Sequence, residues 1–206
     1  KYKPNYIFTD RVKKIVDYKE FIKFKKNIIL KKTTNNNTNF FSELSLLLST
    51  SGSTGSPKLA RISLNNIISN ANSIAKYSKI KSSDTMITTL NPAYSFGLSM
   101  INSHLLKGAR IILNQDTLIS NNFWMKLEKF KISTIGGVPF MYEIFDRLKI
   151  FKKKTFIKNF LQAGGPLNIN LQKKFSKICK KKKISFFIMY GQTEASPRIS
   201  YLPTRN

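Results

Sequence analysis

From residue 59 onward the sequence alternates, almost without a break, between short apolar runs of strand length and longer segments whose apolar residues recur at helical spacing. Leu64, Ile67, Ile68, Ala71, Ile74 and Ala75 fall at i, i+3, i+4 and i+7, which predicts an amphipathic helix to about Tyr77 with Ser63 as its N-cap. Strands are expected at 86–90, 109–113, 132–135 and 160–163, with 184–189 as the last one. Helices are expected at 98–106, 123–130, 138–148 with Pro139 at its start, and 169–180. Strands joined by helix-length crossovers pair in parallel, and a parallel sheet must be covered on both faces. The expected fold class is therefore α/β, a mainly parallel sheet with helices on both faces, its ligand site beyond the carboxyl ends of the strands.

The first 43 residues are less informative. Lysines alternate with Ile15, Val16, Phe21 and Ile22 over 12–24, which reads as a helix; 27–30 reads as a strand and 33–39 as a polar breaker and linker. This divides the chain into a poorly defined segment, 1–43, and a domain, 44–206.

At the start of that domain the apolar run Leu46-Leu47-Leu48 empties into Ser49-Thr50-Ser51-Gly52-Ser53-Thr54-Gly55-Ser56-Pro57-Lys58. Gly52 and Gly55 can take positive φ and let backbone N–H groups converge on an anion, while Thr50, Ser51, Ser53 and Thr54 add hydroxyls and Lys58 a mobile charge. The loop is not of the Walker type, which opens straight into a helix. Leu59-Ala60-Arg61-Ile62 reads instead as a second strand, so a hairpin with an anion-binding tip fits better. Ser-Gly-Ser-Thr-Gly alone would equally suit a surface turn. Four more loops follow expected strands and so fall at the same sheet edge: 92–97, 136–139, 163–166 and 190–194.

Residues 49–58 resemble the phosphate loop of the adenylate-forming enzymes, the superfamily of acyl-CoA synthetases, luciferases and peptide-synthetase adenylation domains. Phe187-Ile188-Met189-Tyr190-Gly191-Gln192-Thr193-Glu194 resembles that superfamily's other nucleotide motif, in the right order, and the resemblance covers roughly 44–203. Residues 91–108 and 189–203 look most like bacterial acyl-CoA synthetase-like ligases, the central part of the large domain. The resemblance implies attack of a carboxylate on the α-phosphate of ATP, departure of pyrophosphate with Mg2+, and capture of the acyl-adenylate by the thiol of CoA or of a carrier protein's phosphopantetheine. It implies that Ser51, Gly52, Ser53, Thr54, Gly55 and Lys58 hold the β- and γ-phosphates, that Thr193 meets the α-phosphate, and that Glu194, with Thr54, serves the metal. By the same resemblance Tyr190 stacks on adenine beside Gly191 and Gln192, and Ala163-Gly164-Gly165 passes close to adenine and the substrate carboxylate. Tyr94 with Gly97, and Val138 with Pro139, would line the way for a carboxylic acid, fatty acyl chains among the candidates. Each position also has a plain structural role open to it: Tyr190 as core, Gly164-Gly165 as an ordinary turn, Glu194 as an acid favoured at a helix start.

The sequence departs from the pattern where Leu59 follows Lys58, since glycine is usual there, and where Leu64 stands at a common histidine position. The superfamily's ribose-binding Asp, hinge and small carboxy-terminal domain with its catalytic lysine have no counterpart before Asn206, so an incomplete, poorly active ligase is expected, with a non-catalytic nucleotide- or acyl-binding remnant as the alternative. The third reading comes from charge. Lys+Arg total 36 against 10 Asp+Glu, a formal net charge of +26, which suits a polyanion-binding module. The lysines are spread everywhere without interleaved base-stacking aromatics, alongside abundant Asn and Ile, which fits compositional drift, and no specific nucleic acid is expected. No apolar run approaches a membrane span and the single cysteine, Cys179, excludes an internal disulfide, so a cytoplasmic setting is expected. Cys179 and the lone His104 read as helix-packing residues rather than nucleophile or metal ligand.

Overall fold

The computed structural model describes residues 4–10, 15–25, 27–34, 41–50 and 58–203. The chain divides into two compact units, Lys1–Ser42 and Glu43–Asn206. The first holds an antiparallel sheet of β1 (Tyr6–Thr9), β2 (Tyr18–Phe24) and β3 (Asn27–Lys32), in the order β1-β3-β2. The helix expected over 12–24 is not there: 18–24 is a strand, and 11–14 lie outside the described residues. Tyr18, Phe21, Ile22 and Phe24 suit a pleated surface, where Tyr6 and Phe21 meet at 5.6 Å under Lys31. Most of the expected linker at 33–39 also lies outside the described residues.

The second unit opens with a hairpin of β4 (Leu44–Ser49) and β5 (Leu59–Ser63), paired antiparallel with Ser49 opposite Leu59. Leu59 thus takes extended backbone, and its β-carbon meets none of the hindrance that a positive φ would impose. Next come α1 (Leu64–Tyr77), β6 (Thr85–Ile87), α2 (Ser95–Leu106), β7 (Arg110–Ile112), α3 (Asn121–Lys129) and β8 (Thr134–Gly137). They are followed by α4 (Pro139–Arg147), β9 (Asn159–Gln162), α5 (Ile169–Lys181), β10 (Ser185–Tyr190) and β11 (Ser200–Pro203). The large sheet has the order β11-β10-β9-β8-β6-β7; every pairing is parallel except that of β11 with β10. The strand expected to be last, β10, is therefore followed by another.

Alternation along the strands sorts side chains to two faces. Ile87, Ile135, Phe160 and Phe186 meet Phe123 and Leu127 of α3, Tyr142 and Phe145 of α4, and Phe175 and Cys179 of α5. Met86, Leu161 and Phe187 point the other way, toward Tyr77 of α1 and Phe96, Met100 and Ile101 of α2. Helices cover both faces, as expected. Cys179 is fully buried in the aromatic cluster, where burial pushes its thiol up to about 12. His104 is enclosed on α2 with Nδ1 2.7 Å from the Met100 carbonyl. Both are packing residues.

Helix starts follow local chemistry. Ser63 Oγ accepts from Asn66 N while Asn66 Oδ1 accepts from Ser63 N, a capping box for α1; Ser120 and Asn168 cap α3 and α5. Tyr94 and Val138, at the starts of α2 and α4, supply no side-chain cap. Their first-turn N–H groups are left to the loops and whatever lies beyond them.

Candidate active site

Because β6, β8, β9 and β10 run parallel, the loops leaving their carboxyl ends share one edge, and four of the five singled-out segments sit on them. The fifth, the hairpin, joins them because β5 packs against the short turn Thr193–Ala195. Contacts between segments then tie the edge together. Ser95 Oγ at the start of α2 lies 3.2 Å from Thr193 Oγ1, and Asn70 Nδ2 of α1 donates to the Ser196 carbonyl. Thr89 Oγ1 donates to the Gly136 carbonyl at 2.6 Å, joining the loops after β6 and β8.

The turn after β9 lies directly on the start of α4. Gly164 has φ +83°, and a Cβ there would sit 2.9 Å from Val138 Cγ1; Gly165 faces Pro139. Only glycine reconciles that backbone with that approach. Gln162 Nε2 donates to the Gly165 carbonyl at 2.9 Å and holds the turn closed, with Ala163 buried beneath it.

On the other side Tyr190 ends β10 and is 63% exposed, and its carbonyl accepts from Ile199 N at 2.9 Å. The segment between folds back so tightly that a Cβ on Gly191 would overlap the Pro197 carbonyl. Gln192 leads into the turn and Glu194, at its middle, is exposed. Tyr94 is 64% exposed beside the site, while Gly97 is buried against the Asn91 carbonyl. At the hairpin neck, Thr50 N and Oγ1 both donate to the Lys58 carbonyl, at 2.9 and 3.4 Å, and Lys58 is exposed at the exit. Ser51, Gly52, Ser53, Thr54 and Gly55 lie outside the described residues. A groove of about 1200 Å³ opens alongside, between Thr89, Asn91, Leu113, Asp116 and Phe140.

Sequence reasoning did not find Asn70 and Ser95, which fix these loops to one another, or Gln162, which closes the turn after β9. Only Gln162 offered a signal, a polar residue inside an expected strand. Among the described residues no three His, Cys, Asp or Glu side chains come together as a metal cage. Glu194 forms no ion pair with a described residue, so the edge offers one hard, accessible carboxylate.

A model of the AMP-binding enzyme family matches residues 9–206. The chain belongs to that family. AMP-binding relatives include an acyl-CoA ligase of Penicillium expansum, 26% identical over 152 residues, covering 71% of this chain and 31% of that protein. Another is the medium-chain fatty-acid–CoA ligase of Escherichia coli K12, 26% identical over 157 residues, covering 75% of this chain and 27% of that enzyme. Among solved AMP-binding structures, the o-succinylbenzoate coenzyme A synthetase of Bacillus subtilis in complex with AMP aligns with a TM-score of 0.66 at 25% identity, over 77% of this chain and 32% of that one. The chain thus spans about 30% of the length of these curated relatives. None of its described helices is long and apolar enough to cross a membrane.

Proposed function

We propose that this chain carries the nucleotide-binding face of an ATP-dependent acid–thiol ligase, in which a carboxylic acid is activated as its acyl-adenylate and passed to the thiol of CoA. The observation that carries the reading is the packing of β5 against the Thr193–Ala195 turn, which brings the neck of the glycine hairpin beside the acid at 194 across more than half of the sequence. Family membership, and relatives named as acyl-CoA and fatty-acid–CoA ligases, support the same chemistry.

In this reading the edge neutralises and orients. Two anions must meet, so donors have to be in place before they arrive. Lys58 supplies a cation at the hairpin exit and Thr193 a hydroxyl, already oriented by Ser95. The hairpin tip, Ser51 to Gly55, would enclose the β- and γ-phosphates, with Thr54 toward the metal. Glu194 fits Mg2+, which is held by one or two carboxylates together with phosphate oxygens rather than by a full protein cage. Magnesium would offset charge on the departing pyrophosphate. Tyr190 offers an exposed ring for adenine, and the bare backbone at Gly164-Gly165 admits the base and the carboxylate without steric conflict. Tyr94, Gly97, Val138 and the adjoining groove would receive the acid, medium or long acyl chains among the candidates. A phosphopantetheine arm of an acyl carrier protein is the other acceptor this site would take. The reducing cytoplasm suits the one thiol, which is buried.

Calorimetric titration with ATP and Mg2+ tests the nucleotide half. Binding should weaken at least about tenfold in Glu194→Ala and Thr54→Ala, the former chiefly in its magnesium-dependent part. Heats that are indifferent to both substitutions would remove the nucleotide claim. Acid-dependent exchange of labelled pyrophosphate into ATP, across a panel of carboxylic acids, tests the activation step.

A further inference from the structure

Arg198 is the one cation in the segment 191–199, and none of the roles assigned above uses it. Its side chain turns under the sheet. Nη1 donates to Tyr77 OH at 2.8 Å and lies 3.2 Å from Met189 Sδ; Nη2 donates to Ser99 Oγ at 3.3 Å; the guanidinium sits 4.9 Å from the centre of the Phe96 ring. These partners come from α1, β10 and α2, and none of them is a carboxylate. Nε is enclosed with no partner among the described residues, and burial lowers the guanidinium's pKa.

An enclosed cation without a counter-ion is costly, and the cost would vanish if the segment swung outward into water. The fold keeps it inside, where one planar group bridges three elements at once. The segment it belongs to is held elsewhere as well. Asn70 holds the Ser196 carbonyl, at the residue whose φ of +53° reverses the chain, and Ser95 meets Thr193. Arg198 is the one of these anchors that touches both helices of this face.

We infer that Arg198 is a positioning residue: its guanidinium, wedged between α1 and α2, locks the turn carrying Thr193 and Glu194 against β5. The functional half of this rests on the nucleotide-binding reading above; the structural half does not. The test compares the full chain with Arg198→Met, which keeps the apolar stem, and Arg198→Lys, which keeps the charge without the planar fork. Amide hydrogen exchange over 191–199 should accelerate about tenfold or more in the methionine variant and less in the lysine variant, while the amides of Phe160, Phe175 and Phe186 keep wild-type protection. ATP with Mg2+ should bind about tenfold more weakly to Arg198→Met, with partial recovery in Arg198→Lys. Unchanged exchange over 191–199 overturns the lock. Faster exchange with undiminished nucleotide affinity overturns the positioning role. Should the methionine variant lose core protection, the lysine variant decides by the same comparison. A wild-type chain that takes up no nucleotide sinks the functional reading, and with it the positioning role, while the exchange measurement still decides the lock.

Discussion

His104 and Tyr142 are enclosed side chains on opposite faces of the sheet, each with one polar atom lacking a partner among the described residues. Desolvation lowers the His104 pKa from its ordinary 6.5, against the raising effect of the Met100 carbonyl. The fold therefore prefers the neutral ring, whereas the unfolded chain takes up a proton near 6.5. Stability from this site is complete above that value and falls as pH drops below it toward the folded-state pKa. Urea midpoints taken between about pH 7 and pH 5.5 should fall less steeply in His104→Asn than in the wild type. Tyr142 buries a phenol with no acceptor among aromatic rings, which raises its pKa through desolvation. Tyr142→Phe should leave stability unchanged or raise it by about 1 kcal/mol in urea unfolding, since the hydroxyl's desolvation has no return. The same scale explains what reading the sequence missed. Ser51 to Gly55 suggest an anion loop only together with Lys58 and the flanking strands, whereas Asn70, Ser95 and Arg198 gain their roles only when α1 and α2 are laid on the sheet. A polar residue on a helix, or one before a strand, carries no local mark of the distant group it will hold.

At the scale of elements, helix C-termini were legible to within a residue because the apolar spacing stops where the buried stripe stops, whereas α2 and α3 begin three and two residues before the expected 98 and 123. Strand bounds were not: 86–90 shrank to three residues, and β11, exposed at all four positions, offers no alternation to read. The helix expected over 12–24 failed for a related reason, since the strand it became is largely exposed and its lysines imitate a solvated helix face. Helix exits show a regularity of their own. Lys79, Lys131, Lys149 and Lys183, just after α1, α3, α4 and α5, all adopt positive φ near 50°, where α2 uses Gly108. A β-carbon is disfavoured there. Lys131→Gly and Lys183→Gly should each stabilise the fold by roughly 0.5–1 kcal/mol in urea unfolding, the relief of left-handed strain exceeding the added freedom of the unfolded chain.

The whole second unit is asymmetric in its packing chemistry. One face of the sheet is filled mainly by aromatic rings about 5–6 Å apart, while the other mixes the rings of Tyr77, Phe96 and Phe187 with Met86, Met100, Met189, serines and a histidine. The candidate nucleotide turn is braced from the second face. Phe175→Ala, emptying a site that several rings share, should cost about 3–5 kcal/mol in equilibrium unfolding, whereas Tyr201→Ala, on an exposed edge strand, should cost distinctly less. The strand order has a further result for how such a chain is made. The neighbouring pairs β6–β7, β8–β9 and β9–β10 are each joined through one α-helix, so much of the sheet can form progressively while the ribosome is still translating. Asn70 must wait for Ser196, 126 residues on, before its amide finds a carbonyl. Within this unit the hairpin and α1 are therefore synthesised well before the turn that secures them, and until residue 196 has emerged the aromatic layer can assemble beneath an edge that is not yet joined.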